Sequence, residues 1–148
     1  LRWQIENQEQ FTLVNRGDKA FSSGIGSYSF FTPLKGNVTS KFSTAQKHFG
    51  IDIVSSANEG IKSALDGTVV IANFTSETGY VIGVQHGNNL FTFYKHNSAL
   101  LKSVGDYVKA GEVIAIIGNS GEFSSGPHLH FELWYNGTPV NPLDYINF

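Results

Sequence analysis

His128 and His130 stand two residues apart in Gly126-Pro127-His128-Leu129-His130-Phe131-Glu132-Leu133, where Leu129, Phe131 and Leu133 alternate with the polar positions. That alternation is the period of a half-buried strand, and residues two apart on a strand share a face, roughly 6.5 Å apart. Both imidazoles then point to one place, away from the core. One strand histidine usually reads as a satisfied surface or core residue; a pair introduced by a Gly-Pro turn points to a metal or catalytic site. A second cluster is His48-Phe49-Gly50-Ile51-Asp52. A helix would bring positions four apart together, but Gly50, Ile51, Ile53 and Val54 favour a strand, which would separate His48 from Asp52 by about 13 Å. The chain must therefore bend between them, and Gly50 is expected to permit the bend. Three ligands drawn from imidazole and carboxylate, with the fourth position open, describe a catalytic zinc site. The chain has no cysteine to close a structural site. Such ligands also suit other divalent ions, so zinc is a preference. Geometry alone does not choose between His128 and His130 as ligand.

Other chemistries fit less well. There is no His-Glu-x-x-His. His130-Phe131-Glu132 resembles the opening of a zinc deaminase motif, which also requires later cysteines. Gly118-Asn119-Ser120-Gly121-Glu122 is not a nucleophile elbow, because Glu122 takes the last glycine position. Gly24 and Gly26 lack the third glycine and the strand-then-helix setting of a dinucleotide fingerprint. Val104–Gly118 looks like part of a biotinyl or lipoyl carrier, but no modifiable lysine hairpin accompanies it. No carboxylate pair is singled out for glycoside hydrolysis.

The elements that must position these residues are strands. From Phe30 onward, short apolar runs are separated by turn residues at Asp66-Gly67, Gly87-Asn88-Asn89 and Asn136-Gly137. These predict three hairpins: Ile61–Leu65 with Thr68–Ala72, Tyr80–His86 with Leu90–His96, and one closing after Leu133-Trp134-Tyr135. Val113–Ile117 is a further strand. No amphipathic helix, repeat or linker is evident, so a mostly antiparallel all-β domain is expected. Residues 1–28 follow neither period and suit an arm or loop packed against the domain at 29–148. The 148 residues, 41% hydrophobic and 14% aromatic, suffice for one core. A formal charge of −2 and the lack of a basic stripe argue against nucleic acid. No apolar run reaches the roughly 18 residues that cross a bilayer. The chain contains no methionine, so a processed or truncated product is expected, with any signal or anchor upstream.

Taken together, His48-x-x-x-Asp52, Tyr94-Lys95-His96 and Ser125-Gly126-Pro127-His128-Leu129-His130-Phe131-Glu132 resemble, in order and interval, the lysostaphin/LytM family of zinc endopeptidases. Val104–Glu112 and Asn136–Pro142 resemble that family too, so the likeness covers roughly residues 30–146. It implies antiparallel sheets forming an open groove, a barrel-sandwich-like fold. It also implies one Zn2+ held by His48, Asp52 and His130, with His96 and His128 as the catalytic pair beside the metal. The implied activity is hydrolysis of peptide bonds in peptidoglycan, in an extracytoplasmic setting (periplasm or cell envelope), with no membrane contact within this segment. His86 matches no motif and is expected at the surface. Glycine-bridge cutters carry a tyrosine shortly before the first ligand; here Phe42 is the only aromatic between Phe31 and His48, which favours stem-peptide crosslinks. Asn97 stands where the family has an apolar residue, with an expected effect on local packing more than on chemistry. The groove is expected to be lined by Ser40–Lys47, Phe74–Tyr80 and Asn119–Ser125. The rival is a non-catalytic peptidoglycan-binding or regulatory module, like the family's amidase activators; all three ligands and both histidines are retained here.

Overall fold

The computed structural model describes residues 24–119 and 126–148. The domain is all-β, as the alternation predicts. Among the described residues, ten strands run in chain order: β1 (Asn37–Ser40), β2 (Ile51–Val54), β3 (Gly60–Lys62), β4 (Gly67–Thr75), β5 (Gly79–Gln85), β6 (Leu90–Leu100), β7 (Tyr107–Val108), β8 (Val113–Ile117), β9 (His128–Tyr135) and β10 (Thr138–Val140). The described helical pieces are two short 3-10 turns, Gly24–Ser27 and Pro142–Asp144. All strand pairs are antiparallel, in the order β1-β2-β9-β6-β5-β4-β7, with β10 on β9 and a branch in which β3 pairs β8 and β8 pairs β6.

The sheet buries both faces unequally. Leu129, Phe131 and Leu133 of β9 join Ile51, Ile53, Ile82, Val84 and Tyr94 in the main core. The opposite face of β9 and β6 carries His128, His130 and Glu132, then Trp134 with Phe91, Phe93, Ile71 and Val81 in a smaller apolar cluster. The period of two thus sends one set of side chains to the core and the other to the site.

Two of the three expected hairpins form. Asn88 and Asn89 (φ 62° and 60°) turn β5 into β6, and Asn136 and Gly137 (φ 53° and 78°) turn β9 into β10. Asp66-Gly67 does not close a hairpin: β3 pairs with β8, whereas β4 pairs with β5 and β7. Neither residue has the positive φ that a tight two-residue turn demands. The partners of Asp66 are distant, Ala110 N–H on its carboxylate and His86 Nδ1 on its carbonyl. Gly67 serves for space instead, since a Cβ there would lie 2.4 Å from the Gln85 carbonyl oxygen. His86, expected at the surface, is buried at 5% exposure. Its Nδ1–H donates to Asp66 O (2.6 Å), and its Nε2 accepts from Thr92 Oγ1 (2.8 Å), which is itself 2.7 Å from the Tyr94 hydroxyl. Burial pushes its pKa down to about 4.

Of the arm expected at residues 1–28, residues 1–23 lie outside the described residues. Gly24–Ser27, expected as a loop, is a single 3-10 turn, and Ile25, Tyr28 and Phe30 pack on the main core.

Candidate metal centre and active site

Strand register builds the site. Asp52 on β2 lies opposite His130 on β9, and His130 lies opposite Lys95 on β6, so the three form a row across adjacent strands. His128 sits one step along β9, opposite Val54. His48 precedes β2 and closes a short loop through paired backbone bonds with Ser43, with Lys47 at φ 56°. The expected bend exists: His48 Nε2 is 3.4 Å from Asp52 Oδ2. Gly50 contributes in a different way from that expected. It has no positive φ; it lets β2 pass close to β9, where a Cβ would fall 2.4 Å from Phe131 O and 2.9 Å from His130 Nε2.

His48, Asp52 and His130 each offer one ligand atom, all within 4.8 Å of one another. Their other bonds suit a cation. His48 Nδ1–H donates to Lys41 O at 2.8 Å, which leaves the Nε2 lone pair toward Asp52. His130 Nε2–H donates to Glu132 Oε2 at 2.8 Å, and Nδ1 lies 2.8 Å from Asp52 Oδ1. Burial alone would raise the Asp52 pKa, but the hydrogen bond and charge of His130, with His48 and His128 nearby, hold it below the usual carboxylate range. Burial would lower His130, and its bonds to Asp52 and Glu132 outweigh that and raise it. The donor set, two imidazoles and one carboxylate with acceptors behind both rings, fits a zinc ion.

His96 and His128 stand beside this cluster. Their ring centroids are 4.8 Å apart, and His96 is 6.1 Å from His130. His128 Nδ1–H donates to Gly126 O at 3.2 Å. His96 has φ 69°, uncommon for a residue with a side chain, and marks the point where β6 leaves β9 and turns onto β8. The bend is stapled on both sides. His96 N–H donates to Thr78 O at 2.8 Å, and Asn97 Nδ2 donates to Tyr94 O (2.9 Å) and Tyr80 O (3.0 Å). Burial, with His128 and His130 close by, pushes the His96 pKa down to about 4, so its imidazole is neutral at pH 7. Its Nδ1 is buried without a hydrogen-bond partner among the described residues.

Residue types and spacing did not single out Lys95, Glu132 and Trp134 as partners of the site. Glu132 is 2% exposed and takes bonds from Lys95 Nζ (3.2 Å) and Trp134 Nε1 (2.9 Å) besides His130. Burial would raise its pKa, but these donors bring it down to about 2. One signal was available: Glu132 continues the His128, His130 face. Of the expected groove segments, Ser40–Lys47 carries the carbonyl behind His48, and Phe74–Tyr80 spans the β4–β5 turn that holds His96 N–H. Residues 120–125 of the third lie outside the described residues.

The sequence profile of Peptidase family M23 matches residues 46–142. The chain is 36% identical over 100 residues to the DD-carboxypeptidase/endopeptidase Mpg of Neisseria gonorrhoeae, covering 68% of this chain and 23% of that protein. It is 37% identical over 116 residues to the murein hydrolase activator NlpD of Escherichia coli, covering 77% and 30%. The fold matches a zinc-containing peptidase from Vibrio cholerae with a TM-score of 0.71 at 28% identity, over 77% of this chain and 39% of that one. The chain spans about a third or less of the length of the curated relatives it matches first. On the profile match and these identities, set beside a site built from the expected motifs, the chain belongs to peptidase family M23.

Proposed function

We propose that this domain is a zinc-dependent endopeptidase acting on peptide bonds of peptidoglycan, with stem-peptide crosslinks as its substrates, in the cell envelope outside the cytoplasm. His48, Asp52 and His130 hold the ion, and His96 and His128 are the catalytic pair. The observation that carries this reading is the convergence of the three donor atoms within 4.8 Å, with both imidazoles backed by acceptors. A bound zinc ion supplies Lewis acidity and a water that ionises near neutral pH. The protein's own groups do the rest. His128, its Nδ1–H held by Gly126 O, exchanges a proton with the reacting centre through its imidazole. His96, neutral and held at the β6 bend, donates to or orients the oxygen that gains negative charge.

A second reading is supported by the likeness to the activator NlpD: the groove binds peptidoglycan or a partner enzyme without cutting. Zinc analysis followed by digestion of purified peptidoglycan separates the two. About one zinc per chain with released crosslink peptides is the expected result; bound peptidoglycan without cleavage overturns the enzyme reading.

A further inference from the structure

Glu132 is a buried carboxylate whose hydrogen-bond partners are all donors. His130 Nε2–H (2.8 Å) and Lys95 Nζ (3.2 Å) share Oε2, and Trp134 Nε1–H (2.9 Å) takes Oε1. The register places it there: Lys95 faces His130 across β6 and β9, and Glu132 faces Phe93 one step further from the groove. The carboxylate therefore sits at the seam between the polar floor and the apolar cluster of Phe91, Phe93 and Trp134. A buried ion pair is not in itself a gain in stability, because apolar residues of similar volume often serve as well. What this pair does that an apolar pair could not is accept a hydrogen from the imidazole beside Asp52.

We propose that Glu132, held by Lys95 and Trp134, is a positioning residue that fixes the tautomer of His130, with hydrogen on Nε2 and the Nδ1 lone pair turned toward Asp52 and His48. The inference rests on the reading of His48, Asp52 and His130 as zinc ligands. An ionised carboxylate only accepts, so it selects Nε2–H; a glutamine could turn its amide N–H to Nε2 and select the opposite tautomer. Lys95 and Trp134 occupy both carboxylate oxygens and keep them from swinging into the metal site as an extra ligand.

The test is the double variant Lys95→Met with Glu132→Gln, which removes both charges at nearly constant volume. It should unfold close to the wild-type midpoint yet bind zinc about 10- to 100-fold more weakly in a chelator competition, the usual loss when a group behind a ligand is removed. In the zinc-loaded wild type, long-range 1H–15N spectra should show His130 protonated at Nε2, a measurement that does not depend on the variant folding. Wild-type zinc affinity in a folded double variant, or a wild-type His130 protonated at Nδ1, would overturn the role of Glu132 while leaving the ligand reading intact. A folded wild type that binds no zinc would overturn both.

Discussion

His48 and His130 each commit one ring nitrogen to a protein oxygen and turn the other toward Asp52. Variants separate the roles proposed for His48, Asp52, His130, His96 and His128. His48→Ala, Asp52→Ala or His130→Ala should lose bound zinc, because two remaining protein ligands hold it poorly. His96→Ala and His128→Ala should keep zinc and lose turnover by about 100- to 10,000-fold. Removing both should cost well short of the product of the single losses if they act as a unit. Metal content measured beside the rate for each variant decides it; a metal-free His128→Ala with a metal-loaded His130→Ala would reverse the roles. The shared direction of His128 and His130 was legible in residue spacing, since a His-x-His on an alternating strand turns both rings to one face; the choice of ligand between them came from the family resemblance and is what these variants test. The nearness of His48 and Asp52 was legible only as a required bend. The Lys95–Glu132 pair was not legible, because it joins residues 37 positions apart through a register that composition does not encode.

Elements, rather than single residues, explain why His96 reaches the site. β6 must pair with β9 up to Lys95 and with β8 from Asn97, and His96 absorbs the change of partner at φ 69°. Such a conformation costs on the order of 1–3 kcal/mol and persists only when neighbours enforce it. The Asn97 amide does so by bonding Tyr94 O and Tyr80 O, a larger part than the packing effect expected from its sequence position. Asn97→Leu should lower stability by about 1–3 kcal/mol through two abandoned carbonyls, and lower kcat while zinc content stays at wild type. Equal kcat at full zinc occupancy would show that the bend holds without the staple. Strand pairing also overrides the Asp66-Gly67 turn signal, because the apolar runs on either side of it belong to different strand pairs, β3 with β8 and β4 with β5. His86, expected at the surface from its sequence, is buried instead, with Asp66 O on one ring nitrogen and the Thr92–Tyr94 hydroxyl pair on the other, partners that the turn beside it does not announce. The folded pKa of His86, about 4, lies below the unfolded value of about 6.5, so the unfolded chain takes the proton first as pH falls. Stability from this group is therefore full above pH 6.5, declines as pH drops toward 4, and totals about 3 kcal/mol. Denaturant unfolding from pH 7 to 4 should show a smaller slope in His86→Gln than in the wild type; parallel curves would refute the assignment.

For the molecule as a whole, the face of the sheet that carries His128 and His130 is set off from the main core, and its aromatic surroundings bear on what it could bind. The aromatic nearest His48 on its N-terminal side is Phe42, which packs against the main core, and no tyrosine stands between Phe31 and His48. Beside His96, by contrast, the β4–β5 turn exposes Phe74 (58%) and Tyr80 (39%), their rings 4.9 Å apart. Thr78 of that turn accepts from His96 N–H, which ties the turn carrying the aromatic pair to the bend at His96. Such a surface gains by covering side chains, and a stem peptide has them; a glycine bridge offers only backbone. The domain should therefore release crosslink peptides faster from walls with direct stem-peptide links than from pentaglycine-bridged walls, read by mass spectrometry of timed digests. Phe74→Ala with Tyr80→Ala should raise KM for the stem-linked substrate and leave zinc content unchanged. Faster release from the pentaglycine wall would overturn the preference. An unchanged KM would remove the aromatic pair from the groove and leave the tyrosine-free approach to His48 as the only ground for it.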